Sequence, residues 1–167
     1  MTPEQAFDQY HQAVFRFLYR LTRRPDVAED LTQESFLVLL RAPGRFDAAR
    51  GTVRTFLFAI ARNLALKQFR EYGAEEQWEE ASDLTSAPDL RPGIEIGAAV
   101  AAAVASLVPL QREALILFEY EGFTLEEVAA VVGADVGTVK SRLHRARARL
   151  KRALAPYRNE GRVHGTV

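Results

Sequence analysis

The sequence predicts an all-α fold: two small helical domains joined by an acidic linker, the second of them a helix-turn-helix. Three observations carry that prediction. Apolar residues recur at three- and four-residue steps through most of the 167 residues, the spacing of amphipathic helices. That period lapses over 73–93, where Gly73, Pro88, Pro92 and Gly93 interrupt a run rich in acid, the composition of a linker. Thr138–Arg158 then carries eight Lys or Arg and no Asp or Glu, directly after a stretch that reads as helix, glycine turn and second helix. The predicted layout is a domain over 1–72, the linker over 73–93, a domain over 94–158 and a tail over 159–167.

The first helix follows from Phe7, Tyr10, Val14, Phe17, Leu18 and Leu21, which share one face. Pro25-Asp26 restarts the chain, and Asp26 with Glu29 three residues on has the form of a capping box. Leu31, Ser35, Val38 and Leu39 then line the inner face of a second helix, 26–41, which Ala42-Pro43-Gly44 ends. Arg45–Gly51 reads as a loop. A third helix runs from Thr52 to about Glu71, with Val53, Phe56, Leu57, Ile60 and Leu64 inward and Arg54, Arg62, Asn63, Lys67 and Arg70 on the other face. Helical patterning returns at Ile94 and continues through Leu107. Pro109 starts a helix over Leu110–Glu121, which Gly122 closes. Thr124 and Glu127 form a second capping box, and Gly133 supplies the positive φ that the turn between the last two helices requires. Val128, Val132, Val136, Val139 and Leu143 are the shared core of those two helices, and Ala129 lets them approach closely.

Formal charge is zero, but it is unevenly placed: +4 over 1–70, −7 over 71–95, −5 over 96–137 and +8 over 138–158. Two basic modules flank an acidic middle, a footprint of nucleic-acid binding that the total conceals. Catalytic chemistry finds no support. There is no cysteine, and His11, His144 and His164 are scattered. No phosphate-cradling glycine loop, GxSxG or HExxH occurs. A non-enzyme without metal or cofactor is predicted. The missing cysteines and the absence of an apolar leader point to the cytoplasm. The longest apolar run, Ala98–Ala105, is too short to span a bilayer.

Three constellations remain. The cationic last helix presents Thr138, Lys140, Ser141, Arg142, His144, Arg145 and Arg149 outward. Residues near its start are placed for base edges and later ones for phosphates; a basic face of an ordinary bundle is the competing explanation. Phe56 and Phe58 lie close to Arg54, Arg62 and Asn63 on the third helix, a mixture of stacking, phosphate-holding and base-reading groups suited to unpaired DNA. A generic helix explains that mixture equally well. Glu29, Asp30 and Glu34, with Asp26 and Gln33, crowd the start of the second helix, partly through favourable pairing with the helix dipole; a protein-docking face or a plain solvated helix accounts for them.

These residues also carry a resemblance. Asp26–Phe36 (DVAEDLTQESF), Phe58–Asn63 (FAIARN), Gln111-Arg112-Glu113 and Gly137–Arg147 (GTVKSRLHRAR) resemble, in order and spacing, the extracytoplasmic-function (group 4) sigma factors of bacterial RNA polymerase, over about residues 5–155. The resemblance implies a promoter-specificity subunit, associated with transcription initiation under stress, that binds core polymerase and melts promoter DNA. It implies docking on the beta-prime and beta subunits, with Asp30, Gln33, Glu34 and Phe36 as contacts of the second helix. Arg54, Phe58, Arg62, Asn63 and Lys67 would meet the −10 element. Thr138, Lys140, Ser141, Arg142, His144, Arg145 and Arg149 would meet the −35 element. The acidic linker would run through the polymerase, and an anti-sigma factor would mask the protein until a signal arrives. Two departures stand out: Phe56 where many relatives have Trp, and Lys67 where they have Asp. The rivals are a regulator that senses a signal through residues 1–70 and an enzyme acting on nucleic acid.

Overall fold

The computed structural model describes residues 1–41, 51–71 and 95–157. The expected linker 73–93, nearly all of the loop Arg45–Gly51 and the tail 159–167 lie outside these residues. Within them the chain forms seven α-helices: α1 (Pro3–Thr22), α2 (Pro25–Arg41), α3 (Val53–Glu71), α4 (Ile96–Ala105), α5 (Pro109–Leu115), α6 (Leu125–Val132) and α7 (Val136–Ala153). A π-helical turn, Ile116–Tyr120, continues α5, and a short 3-10 turn, Ala155–Tyr157, follows α7.

Local chemistry sets the ends of these helices. Thr2 caps α1: its hydroxyl accepts from the Gln5 amide at 3.2 Å, and the Gln5 side chain accepts from the Thr2 amide at 2.8 Å. Arg23, at φ 60°, turns the chain out of α1 in the left-handed region. The expected Asp26 cap does not form. Proline, whose φ is preset for a first helical position and whose missing N–H costs nothing there, starts α2 at Pro25. Asp26 therefore lies inside the first turn and pairs with Arg24 at 3.1 Å.

In the N-terminal half, α1 crosses α2, and α3 packs on both. Val14, Phe17, Leu18 and Leu21 of α1 meet Ala28, Leu31, Phe36 and Leu39 of α2 in the core. Thr32 and Ser35 are buried on α2, and each hydroxyl donates to a carbonyl one turn back at 2.6 Å, so neither polar group is stranded.

In the C-terminal half, α6 and α7 make the helix-turn-helix. Both halves of the Thr124–Glu127 capping box are present at 3.1 Å. Gly133, at φ 68°, makes the turn, where a side chain would be strained. Asp135 then caps α7, accepting from the Thr138 amide at 2.7 Å. Val128, Val132, Val139 and Leu143 are buried as expected, and Val136 is half-buried. The expected regular helix over Leu110–Glu121 is interrupted. The Glu121 amide donates to Ile116 O at 3.0 Å, a five-residue step that widens the turn.

The two halves share one core. Phe58 of α3, fully buried, sits between Phe17 of α1 (ring centroids 5.4 Å apart) and Phe123, just ahead of α6 (5.0 Å, edge-on). This corrects the expected orientation of α3. Its fully covered positions are Leu57, Phe58, Ala61 and Ala65, while Val53, Phe56, Ile60 and Leu64 are half-buried. A helix packed against α1 and α2 on one side and α6 on another has two inner faces, and a single stripe drawn along it falls between them.

Candidate nucleic-acid interface

Cationic groups on α7 and α3 meet different surroundings. Helix α7 starts at a capped turn and packs into the core through Val139, Leu143 and Ala146. Lys140, Ser141, His144 and Arg145 are all exposed along its outer face, with Thr138 partly exposed at its start. Arg142 and Arg149, expected beside them, are half-buried instead; the positive charge of Arg142 acts on the carboxyl of Glu113. Arg147 pairs with Glu119 of its own half at 2.8 Å and lies over the Phe118 ring.

On α3, Asn63 and Lys67 are exposed as expected. Phe58 is buried and Arg54 and Arg62 are half-buried, all three packed against the C-terminal half. Arg62 donates two hydrogen bonds to Glu113 of α5, Nε to Oε2 at 2.9 Å and Nη2 to Oε1 at 3.1 Å. This fork-to-fork geometry is the strongest that an arginine makes with a carboxylate. The Glu113 side chain is wholly buried and that of Arg62 is 12% exposed. Burial pushes the Glu113 carboxyl upward, and the hydrogen-bonded Arg62 and nearby Arg142 pull it back down. Arg54 donates to the carbonyl of Glu121 and stacks on Phe123, its guanidinium 3.8 Å from the ring centroid. Arg20 of α1 lies 4.3 Å over the Tyr120 ring and 3.6 Å from the Glu121 carboxylate. Arg112 reaches the other way, donating to Leu21 O at 2.6 Å and Leu107 O at 2.8 Å. Burial, reinforced by Arg23, lowers its pKa to about 10.

Helix α2 shows Asp30, Gln33 and Glu34 to solvent. Phe36, expected as a surface contact, is 6% exposed and packs edge-on against Phe7 at 5.0 Å. It braces α2 from below. The apolar groups exposed nearby are Phe7, Leu37 and Leu40.

Glu113, Glu121 and Phe123 were not singled out in the sequence as site residues. A signal existed for the first: Glu113 is a lone carboxylate among Leu110, Ala114 and Leu117, and a charge within an apolar stripe is rarely buried without a partner. The other two lie past the π turn, where regular helical spacing no longer assigns a face.

Residues 6–75 match the family model Sigma-70 region 2, and residues 98–150 match Sigma-70, region 4. The sigma factor SigC of Mycobacterium tuberculosis is 38% identical over 141 residues, covering 81% of this chain and 74% of that protein. This chain belongs to the extracytoplasmic-function sigma factors. SigE of Mycolicibacterium smegmatis is 36% identical over 159 residues, or 91% of the chain, which spans 61% of the length of that relative. Among solved structures, the Bartonella quintana sigma factor RpoE, in complex with the anti-sigma factor NepR, superposes with a TM-score of 0.73. It is 30% identical, and the match covers 91% of this chain and 96% of that one. CnrH, in complex with the cytosolic domain of CnrY, superposes at 0.69 with 25% identity, covering 92% and 88%. The matches place the core of α1–α3 in region 2 and the helix-turn-helix in region 4. Among the described residues, no cluster of three or more His, Asp or Glu is arranged to hold a metal, and no helix is long and apolar enough to cross a membrane.

Proposed function

We propose that this sigma factor binds bacterial core RNA polymerase and, as its specificity subunit, selects and opens promoters. Region 2 occupies 1–72 and region 4 occupies 94–158, joined by the linker 73–93. Asp30, Gln33 and Glu34 are the polar contacts to the beta-prime subunit, held in place by Phe36 beneath them, while the beta subunit receives the second domain. Lys140, Ser141, His144 and Arg145 read the −35 element, with Thr138, Arg142 and Arg149 supporting phosphate contacts. Arg54, Phe58, Arg62, Asn63 and Lys67 engage the −10 element as it opens.

The observation that carries this reading is the exposed face of α7, lined by Lys140, Ser141, His144 and Arg145 after a turn that Gly133 and Asp135 fix. A helix so presented fits a major groove, where Arg and Lys meet guanine edges. The function needs no covalent chemistry, so the protein acts without enzymatic activity of its own, in the cytoplasm. Each domain alone binds weakly. Joining two contacts on one polymerase makes the second intramolecular, strengthening the whole by on the order of 10²–10⁴. An anti-sigma factor that occupies these surfaces is the natural regulator.

Reconstitution with core polymerase, followed by mapping of transcript starts on genomic DNA, tests the reading. Holoenzyme is expected to initiate at a defined set of sites that core enzyme alone ignores. Initiation no better than core at every site overturns it.

A further inference from the structure

A cavity of about 240 Å³ lies between α1, α4 and the π turn. Three arginines of α1 line it, Arg16, Arg20 and Arg23, and among the described residues no carboxylate does. Their spacing puts them on one face of the helix, where like charges repel and cost helix stability. None of them serves the docking or DNA contacts proposed above. The wall opposite, Ala101, Val104 and Ala105 of α4, is apolar. Rings complete the lining: Tyr120, and Tyr19 stacked parallel with Phe15 at 6.2 Å between centroids. Arg23 lies 5.6 Å over the Tyr19 ring, as Arg20 lies over that of Tyr120. Such stacking uses the flat face of a guanidinium and not its donors, which lie in its plane. Just behind the lining, Glu121 is 3.6 Å from Arg20, and Arg16 and Arg54 act on the same carboxylate. Arg23 bears instead on another cation, the buried Arg112. Positive charge is therefore in excess around the cavity.

We infer that this cavity binds a small phosphorylated ring compound of the nucleoside monophosphate class, its phosphate held by Arg16, Arg20 and Arg23 and its base laid against Tyr19, Tyr120 and the apolar wall of α4. The lining selects both parts. Guanidinium forks match the oxygens of a phosphate. Tyrosine rings stack on a planar base, and the α4 wall removes apolar surface from water. A mostly apolar hollow with a few convergent polar groups is the general form of a small-molecule site. The volume lies a little below the range of about 300–1,000 Å³ of drug-sized sites. The base is therefore enclosed while the phosphate sits at the rim, where Arg16 and Arg23 are exposed. Free phosphate lacks the ring and a free nucleoside lacks the charge, so neither satisfies the whole lining. The walls come from both halves of the chain, so occupancy stabilises the arrangement in which α1 faces α4, by mass action. The inference is independent of the roles proposed for α2, α3 and α7.

Titration of the full-length, isotope-labelled protein with adenosine monophosphate, followed by amide resonances, tests the inference. Saturable shifts are expected along Arg16–Arg23, along Ala101–Ala105 and at Tyr120. Adenosine and inorganic phosphate, added separately, are each expected to bind about tenfold more weakly or worse. The double variant Arg16→Gln, Arg23→Gln changes two exposed side chains, so it is expected to fold normally and to bind about tenfold more weakly. Ala101→Leu fills the cavity from the α4 side and leaves every charge in place; it is expected to abolish the saturable shifts while the spectrum stays that of a folded chain. The inference is overturned if adenosine monophosphate gives no saturable shifts at millimolar concentration, or if they fall on the Lys140–Arg145 face of α7 instead. It is equally overturned if phosphate or adenosine alone binds as well as the nucleotide, or if the double variant binds as the native protein does. Failure of run-off transcription would remove the proposed function and leave these outcomes unaffected.

Discussion

The two cationic helices of this protein carry similar chemistry and stand in opposite states. On α7, Lys140, His144 and Arg145 face solvent from a rigid, capped platform. On α3, Arg54 and Arg62 face inward and are satisfied by a carbonyl, a ring and a buried carboxylate. The lesson is that arginine content marks where a protein is able to hold anions, but not which anion it holds at a given moment. On α7 the outward cations Lys140 and Arg145 meet solvent. On α3 the anion is supplied by the protein itself.

The sharpest way to break the comparison is at the ring both halves share. Phe58→Ala removes the contact with Phe17 and with Phe123 at once and is expected to cost about 3–5 kcal/mol, measured by urea unfolding. Because the core is continuous, a single transition is expected to move. Loss confined to an N-terminal transition, with the C-terminal half melting unchanged, would show that the seam contributes nothing. Next in size is the readout of α7. Arg145→Ala is expected to weaken binding to a −35 duplex by about 1–3 kcal/mol, by fluorescence anisotropy, with no change in the unfolding midpoint. Equal weakening on scrambled duplex would make it a phosphate contact. Arg62→Ala, by contrast, is expected to lower stability as well as −10 binding, because the same guanidinium also pairs with the buried Glu113.

Smaller still is the charge reversal Glu34→Lys. On an exposed position of α2 it is expected to lower affinity for core polymerase by about 1 kcal/mol without shifting the unfolding midpoint. Unchanged retention of the variant on immobilised core would remove α2 from the docking surface. The smallest effect is on the turn that presents α7. The hydrogen bond from the Thr138 amide lowers the Asp135 carboxyl below its ordinary value of 3.8. A group so lowered contributes stability above that ordinary value and loses it as pH falls through the lowered one. Acid titration followed by amide exchange at Thr138 is expected to show the start of α7 fraying. In Asp135→Asn, which keeps a capping oxygen but cannot titrate, the response is expected to vanish.

Much of the fold is legible in the sequence because local rules decide it. The Thr124 box, the Gly133 turn and the buried Val128, Val139 and Leu143 need nothing beyond their own neighbourhood. Failures arise where distant contacts intervene. Asp26 has the chemistry of a cap but yields the place to Pro25. Phe36 carries the look of a surface contact within a family motif, yet Phe7 from another helix covers it. The inner face of α3 departs from the single predicted stripe because distant residues cover a second side of it, such as Glu113 at a separation of 51 from Arg62. Of the candidate site, the α7 residues were readable one by one. The masking of Arg54, Phe58 and Arg62 was not, since nothing in a local pattern says which of two faces a second domain will cover.

The π turn after α5 sets the phase of everything that follows it. One residue more than a regular helix requires is accommodated between Ile116 and Tyr120. Each residue of an α-helix advances the chain by about 100° around its axis. Deleting a single position there would wind the segment back to ordinary pitch and swing Glu121 and Phe123 by roughly that angle, out of register with Arg54. An indel of one residue, silent to composition and charge, would thus uncouple the two halves as effectively as removing a side chain from the seam.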